Sequence, residues 1–243
     1  MIERYLPLFI ILSLIAEVLG TVGGFGSSVF FVPIANQFLD FQSVLGITAL
    51  FHLASNISKI TLFRKGFDKR LCLTIGIPAV VLVSVGAYLS KFVNTLLLTY
   101  VLGVFLVVLS LAFLIFKKLA VIANDKNAIL GGSFAGLFAG LLGTGGPIRG
   151  ITLAAFNLKK EKFIATSAII DLGIDLSRSV VYTMNGYVHK HDLYLIPILV
   201  VISFVGTYVG KLLLAKITQE QFRWVVLVLI LIVGLLTIAN NLM

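Results

Sequence analysis

The sequence lacks charge and polar surface. Only 12% of its 243 residues are charged, 59% are hydrophobic, and the mean hydropathy is +1.10. A soluble domain carries about 25% charged and about 45–50% apolar residues. This chain therefore has too little polar surface to cover a globule in water, and the excess apolar surface must face lipid. We predict an all-α, polytopic membrane protein.

The shortage of cysteine excludes further classes of protein. Cys72 is the single cysteine, so the chain can form no internal disulfide and has no material for a cysteine-based redox or metal cluster. The sequence also contains no HExxH and no GxSxG motif, so an intramembrane enzyme is not expected, and we predict neither a cofactor nor a metal. No basic region or small-residue cleavage site frames the apolar stretch 6–19, which we interpret as the first membrane segment.

Apolar runs near the span length of about 20 residues predict eight membrane helices. They lie at residues 6–22, 42–63, 71–89, 96–116, 128–142, 163–183, 193–210 and 224–239. Two further runs, 27–39 and 147–157, are short for a span. We expect these to be half-helices or re-entrant segments.

The net charge of +9 comes from basic residues that lie between the apolar runs. That pattern is typical of cytoplasmic loops rather than of nucleic-acid binding. Counting spans places four clusters on one side: Arg64, Lys65, Lys69 and Arg70; Lys117, Lys118 and Lys126; Lys159, Lys160 and Lys162; Lys211, Lys216 and Arg223. We predict that this side is the cytoplasm, that both termini are external, and that the membrane is the bacterial inner membrane.

Residues 1–118 and 119–243 resemble each other, which predicts two repeats within one membrane domain. The matching features are residues 20–26 and 140–146, His52-x3-Asn56-x2-Lys59 and Asp171-x3-Asp175-x2-Arg178, and Pro78 and Pro197. Each half holds about five segments, an odd number, so the second half enters the membrane from the opposite side. Inverted repeats are a common build for secondary transporters, whose substrate site lies near the midplane at broken helices. Duplication for structure alone is the alternative.

Two glycine-rich breaks are predicted to aim free backbone N–H groups into the protein. The first contains Gly24, Phe25, Gly26 and Ser27, and the second contains Thr144, Gly145 and Gly146. Pro147 suits the first turn of the helix that follows, and a helix N-terminus binds anions. Tight helix packing is the alternative, and we assign to it the GxxxG spacings of Gly132, Gly136 and Gly140 and of Gly206 and Gly210.

Two polar helix faces are predicted inside the membrane. His52, Asn56 and Lys59 share one face, and Asp171, Asp175 and Arg178 share another. A charge at a bilayer centre costs at least ~2.5–3.5 kcal/mol, so such residues persist where they face a cavity, a partner or a substrate.

Lys59 and Arg178 are candidate clamps for an anion. Snorkelling to the membrane surface and pairing with Asp171 and Asp175 are the alternatives. Asn56, with Ser58 and Ser177, could add neutral hydrogen bonds. His52, Asp171 and Asp175 are candidate proton carriers, against a purely structural role. Arg149 either adds positive potential at the site or anchors at the external surface.

The glycine breaks at 20–26 and 140–146, each followed by a short segment and a polar face, resemble the sulfite exporter TauE/SafE family across nearly the whole chain. The resemblance implies a transporter of sulfite, organosulfonates or other small organic anions, often in export. Phe25 departs from a plain glycine run and could narrow one side of the site. Protons and the lipid bilayer are further expected partners, and a homodimer is one option. An anion channel and a membrane scaffold without substrate are the rival functions.

Overall fold

The computed structural model describes residues 2–24, 26–63, 66–115, 121–214, 216 and 219–242. These residues form eleven α-helices and no strand, which confirms the predicted all-α fold. The helices are α1 (Ile2–Gly23), α2 (Ser28–Ala35), α3 (Phe41–Leu62), α4 (Lys69–Thr74), α5 (Gly76–Leu89), α6 (Thr95–Ile115), α7 (Asp125–Leu142), α8 (Gly146–Ala154), α9 (Lys160–Met184), α10 (Leu195–Leu214) and α11 (Gln219–Leu242). Short 3-10 turns occur at Ser90–Phe92 and Lys190–Asp192.

Each predicted apolar segment coincides with a helix, apart from one that is divided in two. The run 71–89 is interrupted at Ile75, between α4 and α5. Pro78 explains the break, because proline has no N–H to donate to the carbonyl of Thr74 and its ring crowds that carbonyl. The short runs 27–39 and 147–157 form the short helices α2 and α8. Phe116, the predicted end of the fourth span, lies outside the described residues.

Four helical stretches of the described chain are long and apolar enough to cross a membrane: Arg4–Gly23, Lys69–Phe92, Thr95–Ile115 and Leu195–Leu214. Their outer faces are apolar and exposed. On α4 and α5, for example, large side chains recur at every fourth residue on the surface: Leu73, Ile77, Val81, Val85 and Leu89. Such a stripe suits contact with lipid tails. The helices α3 and α9 are as long, with 22 and 25 residues, but they carry the predicted polar faces toward the interior.

The helices of the two halves pack in matching pairs. In this comparison α1 corresponds to α7, α3 to α9 and α5 to α10. The helix α1 packs on α10, and correspondingly α7 packs on α5. The helix α3 also packs on α10, and correspondingly α9 packs on α5. The pairs α3–α9 and α6–α11 join equivalent helices of the two halves. Exchanging the halves leaves these pairings unchanged, as a duplicated chain would require. The inverted orientation of the repeats, and their division after residue 118, stay predictions.

Glycine stripes allow the closest of these contacts. A Cβ added at Gly132, Gly136 or Gly140 of α7 would lie 2.1–2.3 Å from the carbonyl oxygens of Ile75, Ala79 and Val83 respectively. A Cβ at Gly206 or Gly210 of α10 would lie 2.8 Å from side-chain carbons of Glu17 and Thr21 on α1. The predicted packing role of both GxxxG spacings is therefore confirmed.

Residues of the predicted basic clusters meet at one end of the bundle. Lys162 Nζ lies 3.0 Å from Asp68 Oδ2, and Arg70 Nη2 lies 2.6 Å from Asp125 Oδ1. Lys211 donates to the carbonyl of Leu62. Arg64, Lys65, Lys117, Lys118 and the side chain of Arg223 lie outside the described residues. At the opposite end, the connection between α9 and α10 packs against the beginning of α3, where Ser43 Oγ lies 2.7 Å from His189 Nδ1.

Candidate functional site

Both glycine motifs interrupt their helices, and the two breaks meet. The chain leaves α1 at Gly23 and enters α2 at Ser28, and it leaves α7 at Leu142 and enters α8 at Gly146. Gly26 and Gly143 have φ angles of +87° and +76°, which favour glycine at both turns. Ser28 Oγ lies 3.2 Å from Thr144 Oγ1, so the breaks touch across the boundary between the halves.

A polar cavity lies between the two breaks and the facing sides of α3 and α9. Most of the predicted site residues line it: Gly26, Ser27, His52, Asn56, Lys59, Gly145, Gly146, Asp171, Asp175 and Arg178. Arg149 lines it too. Gly24 lines an adjoining cavity that shares Gly26, Lys59 and Asp171 with the first. Phe25 lies outside the described residues, whereas Thr144 is buried beside the cavity.

Arg178 is held by a carboxylate and by the end of α7. Its Nη2 lies 2.7 Å from Asp175 Oδ1, and its Nη1 donates to the carbonyl oxygens of Ala139 and Gly143. Asp175 also accepts a hydrogen bond of 2.6 Å from Asn56 Nδ2, which joins the polar face of α3 to that of α9. Arg178 is only 2% exposed, so the snorkelling alternative is wrong for this residue. Its pairing with Asp175 is observed, and its binding of a substrate stays a prediction.

Lys59 pairs with a residue that the sequence-based prediction missed. Lys59 Nζ lies 2.9 Å from Oε1 of Glu17, which is fully buried on α1. Ser55 and Thr207 donate to the same oxygen over 2.6 and 3.0 Å, and Ser27 donates to Oε2. An acidic residue inside an apolar run was itself a signal for function, because such charges are rare within membrane helices. Lys59 is 5% exposed and does not snorkel.

Arg149 forms the third ion pair of the site. Its guanidinium bonds to the carboxylate of Asp171, and its Nε donates to Ser167 Oγ over 3.2 Å. Because Arg149 is 2% exposed, it lines the cavity and does not anchor at the surface. The Asp171 side chain is 14% exposed, against 4% for Asp175 and 0% for Glu17, so it is the most accessible carboxylate of the three.

His52 connects two of the ion pairs. Its Nδ1 lies 3.3 Å from Arg178 Nη2, and its Nε2 lies 3.0 Å from Ser27 Oγ. A guanidinium only donates, so Nδ1 accepts and Nε2 carries the hydrogen. Ser27 therefore accepts from His52 and donates to Glu17. A hydrogen-bond chain thus runs from Arg178 through a neutral imidazole to Glu17 and Lys59.

The cluster is balanced in formal charge. Among its described residues, the cations are Lys59, Arg149 and Arg178, and each is bonded to one carboxylate of the set Glu17, Asp175 and Asp171. With a neutral His52 the sum is zero. Each cation of the cluster therefore already has a carboxylate partner.

Comparisons with known proteins agree with this architecture. The family model described as sulfite exporter TauE/SafE matches residues 9–237. A protein of Methanocaldococcus jannaschii described as a probable membrane transporter protein is 27% identical over 234 residues, which cover 88% of this chain and 87% of that protein. No solved structure matches the chain significantly.

Proposed function

Since the chain belongs to the sulfite exporter TauE/SafE family, and is therefore a multi-pass membrane transporter and not an enzyme, we propose that it carries a small anion through the cavity between its two helix breaks. The family description supports sulfite, an organosulfonate or a related small organic anion as substrate, and export as the direction. The observation that carries the proposal is the convergence of Lys59, Arg149 and Arg178 on one cavity inside an apolar helix bundle.

The donors around the cavity suit an oxyanion. The guanidinium of Arg149 can present N–H groups to sulfite, sulfonate or carboxylate oxygens once Asp171 releases it, and Lys59 adds a point charge. Arg178 contributes positive charge, because its N–H groups are bonded to Asp175, His52 and the carbonyl oxygens of Ala139 and Gly143. The N-terminus of α8 at Gly146 also lines the cavity, and its backbone dipole favours negative charge. Both glycine breaks bring backbone close to the same space, as expected for a site at discontinuous helices.

Charge balance supports coupling to a proton. The charges of the resident side chains sum to zero, so an anion that enters alone adds an uncompensated negative charge to a low-dielectric interior, which is costly. A proton that enters with the anion restores the balance. We place that proton on Asp171, the most exposed carboxylate, which lines both cavities. Its protonation would release Arg149 for the substrate. Asp175 and His52 fit the role less well, because Arg178 holds both.

The basic end of the bundle supports one orientation in the membrane. Lys162, Arg70 and Lys211 lie together there, and positive charge accumulates on cytoplasmic loops. We propose that this end faces the cytoplasm, that both termini are external, and that the host membrane is the bacterial inner membrane.

Counterflow into liposomes tests the proposal. Purified protein is reconstituted, and uptake of labelled sulfite, organosulfonates and carboxylates is measured with and without a pH gradient. We expect saturable counterflow of at least one of these anions, weakened at least tenfold by Arg178→Gln and by Lys59→Gln. Lys91→Gln, an exposed lysine at the other end of the bundle, is the matched control and should transport normally.

Other outcomes favour the rival functions. Flux without saturation or counterflow would favour an anion channel. Transport of cations or neutral solutes alone would exclude the anion proposal. Unchanged affinity in both site variants would show that Lys59 and Arg178 do not bind the substrate.

A further inference from the structure

A second group of ionisable side chains lies away from the cavity, in the connection between α9 and α10. His189, His191 and Asp192 lie on and beside the 3-10 turn Lys190–Asp192. One ring nitrogen of each histidine and one carboxylate oxygen of Asp192 lie within 4.8 Å of one another. Imidazole nitrogen and carboxylate oxygen are ligands that Zn²⁺ commonly takes in proteins.

Asp192 is the residue that points to a ligand. It is 3% exposed, yet its Oδ2 has no hydrogen-bond partner among the residues that the structure describes. The nearest basic atoms are Nδ1 of His189, 3.7 Å from Oδ2, and Nε2 of His191, 3.4 Å from Oδ1. Both separations exceed those of ordinary hydrogen bonds. A buried carboxylate oxygen without a donor is costly, and a bound cation between these groups would satisfy it.

The neighbouring structure holds the group in place. Ser43 Oγ lies 2.7 Å from Nδ1 of His189, and the rings of His189 and His191 stack with centroids 5.2 Å apart. A metal-binding histidine keeps such a hydrogen bond on the ring nitrogen that does not bind the ion, so His189 would bind through Nε2. Beneath the turn, a Cβ at Gly46 of α3 would lie 2.6 Å from the carbonyl oxygen of Tyr187, so the connection packs directly on α3. Asp40, the N-cap of α3, interacts electrostatically with His189 and adds negative potential.

We propose that His189, His191 and Asp192 bind one divalent transition-metal ion of the Zn²⁺ class. Two ligands about 2.0–2.2 Å from one ion can be at most about 4.4 Å apart, so the widest separation must close slightly. The side chain of His191 is 75% exposed and can rotate to do so. With three protein ligands, the fourth position is left to water. The ion would tie the connection between α9 and α10 to the beginning of α3, the helix that carries His52, Asn56 and Lys59 into the cavity.

Zinc binding to the full-length protein tests the site. The protein is purified through a tag without histidine, and Zn²⁺ alone is titrated calorimetrically. We expect one ion per chain, and at least tenfold weaker binding by Asp192→Asn and by His191→Gln. Lys190→Gln, between the two histidines but without a ligand atom of this kind, is the matched control and should bind normally.

A second measurement guards against misfolded variants. The exposed position of His191 makes His191→Gln the least disruptive change. We expect Co²⁺ to give visible ligand-field bands with the wild type, and we expect these bands to be absent with His191→Gln. Absence of Zn²⁺ binding by the wild type would overturn the proposal. Binding by His191→Gln and Asp192→Asn that is as tight as binding by the wild type would also overturn it. Thermal stability of the wild type that does not change with added Zn²⁺ would also overturn it.

Discussion

The ion pair between Glu17 and Lys59 is the most informative place to perturb the site. Glu17 accepts from Lys59, Ser55 and Thr207 on one carboxylate oxygen and from Ser27 on the other. Glu17→Gln keeps the size of the side chain and one acceptor oxygen, but it removes the negative charge. The amide nitrogen of the new side chain then faces hydroxyl and ammonium groups that donate to Glu17 in the wild type. The hydroxyls can rotate to accept from that nitrogen, whereas the ammonium of Lys59 cannot.

The expected cost follows from the burial of the remaining charge. Lys59 is 5% exposed, so without Glu17 it is a buried cation that keeps its hydrogen bond to Ser55 but has lost its negatively charged partner. Removing one partner of a buried ion pair costs about 3–5 kcal/mol, and we expect a loss in that range for Glu17→Gln. That is a large share of the roughly 5–15 kcal/mol by which proteins are commonly stable. Removing both charges should cost less than removing one.

Unfolding in detergent, followed by circular dichroism, measures these changes in a double-mutant cycle. We expect Glu17→Gln/Lys59→Met to be more stable than Glu17→Gln alone, with a coupling of at least about 2 kcal/mol. Ser13→Ala, one turn earlier on α1, removes only a hydrogen bond to the carbonyl of Phe9 and is the matched control. Stability of Glu17→Gln within about 1 kcal/mol of the wild type, or strict additivity in the cycle, would refute the buried ion pair as we describe it.

Three further predictions concern coupling, packing and pH. Asp171→Asn should abolish the effect of a pH gradient on anion uptake by liposomes, and a retained effect would remove Asp171 from the coupling role. Gly136→Ala should destabilise the protein by roughly 1–3 kcal/mol in the same unfolding assay, because the added Cβ would lie 2.1 Å from a carbonyl oxygen of α5. Gly76→Ala, whose Cβ would meet its nearest atom at 3.6 Å, is the control and should cost little. A hydrogen bond from Lys162 holds the pKa of Asp68 below the usual pKa of an aspartate. This hydrogen bond therefore stabilises the folded protein at pH values above the usual pKa, and the stabilisation is lost as the pH falls through the lowered pKa. The stability difference between wild type and Asp68→Asn should therefore be under ~1 kcal/mol near neutral pH and should disappear as the pH falls through the lowered pKa, and a difference that persists in stronger acid would contradict the assignment.

The fold was largely predictable because lipid leaves few choices. A membrane helix must satisfy its own backbone, so apolar runs of span length become helices, and glycine or proline marks where they break. The breaks near Gly24 and Gly145 were predicted on that basis. The interruption at Ile75 was not, although Pro78 stood in the sequence as its cause. Proline inside an apolar run is common enough in membrane helices that its effect depends on the neighbouring helices.

The sequence was enough to predict which residues of the candidate site share a helix face. It was not enough to predict which of them pair with each other. Helical spacing places His52 and Lys59 on one face, whichever helix lies opposite. The choice of Glu17 as the partner of Lys59 depends on how α1 and α3 both pack against α10, and no local pattern encodes that distance. Glu17 could have been singled out as a lone acid in an apolar run. Its bond to Lys59 required the three-dimensional structure.

The resident carboxylates give a reason why a carrier would bury three cations and still release its cargo. Unpaired, Lys59, Arg149 and Arg178 would hold an anion too tightly to let it leave, and transport requires binding that is favourable enough to enter and weak enough to exit. In the proposed mechanism the substrate must compete with Asp171 for Arg149, because these two side chains are bonded to each other. In that mechanism the states with and without substrate differ in which anion and which proton are bound, and they differ less in net charge. A ligand shifts an equilibrium between two states only by its differential affinity for them. In the proposed mechanism the proton binds the substrate-loaded state more tightly, so a change in proton concentration on either side of the membrane shifts the equilibrium between the loaded and unloaded states.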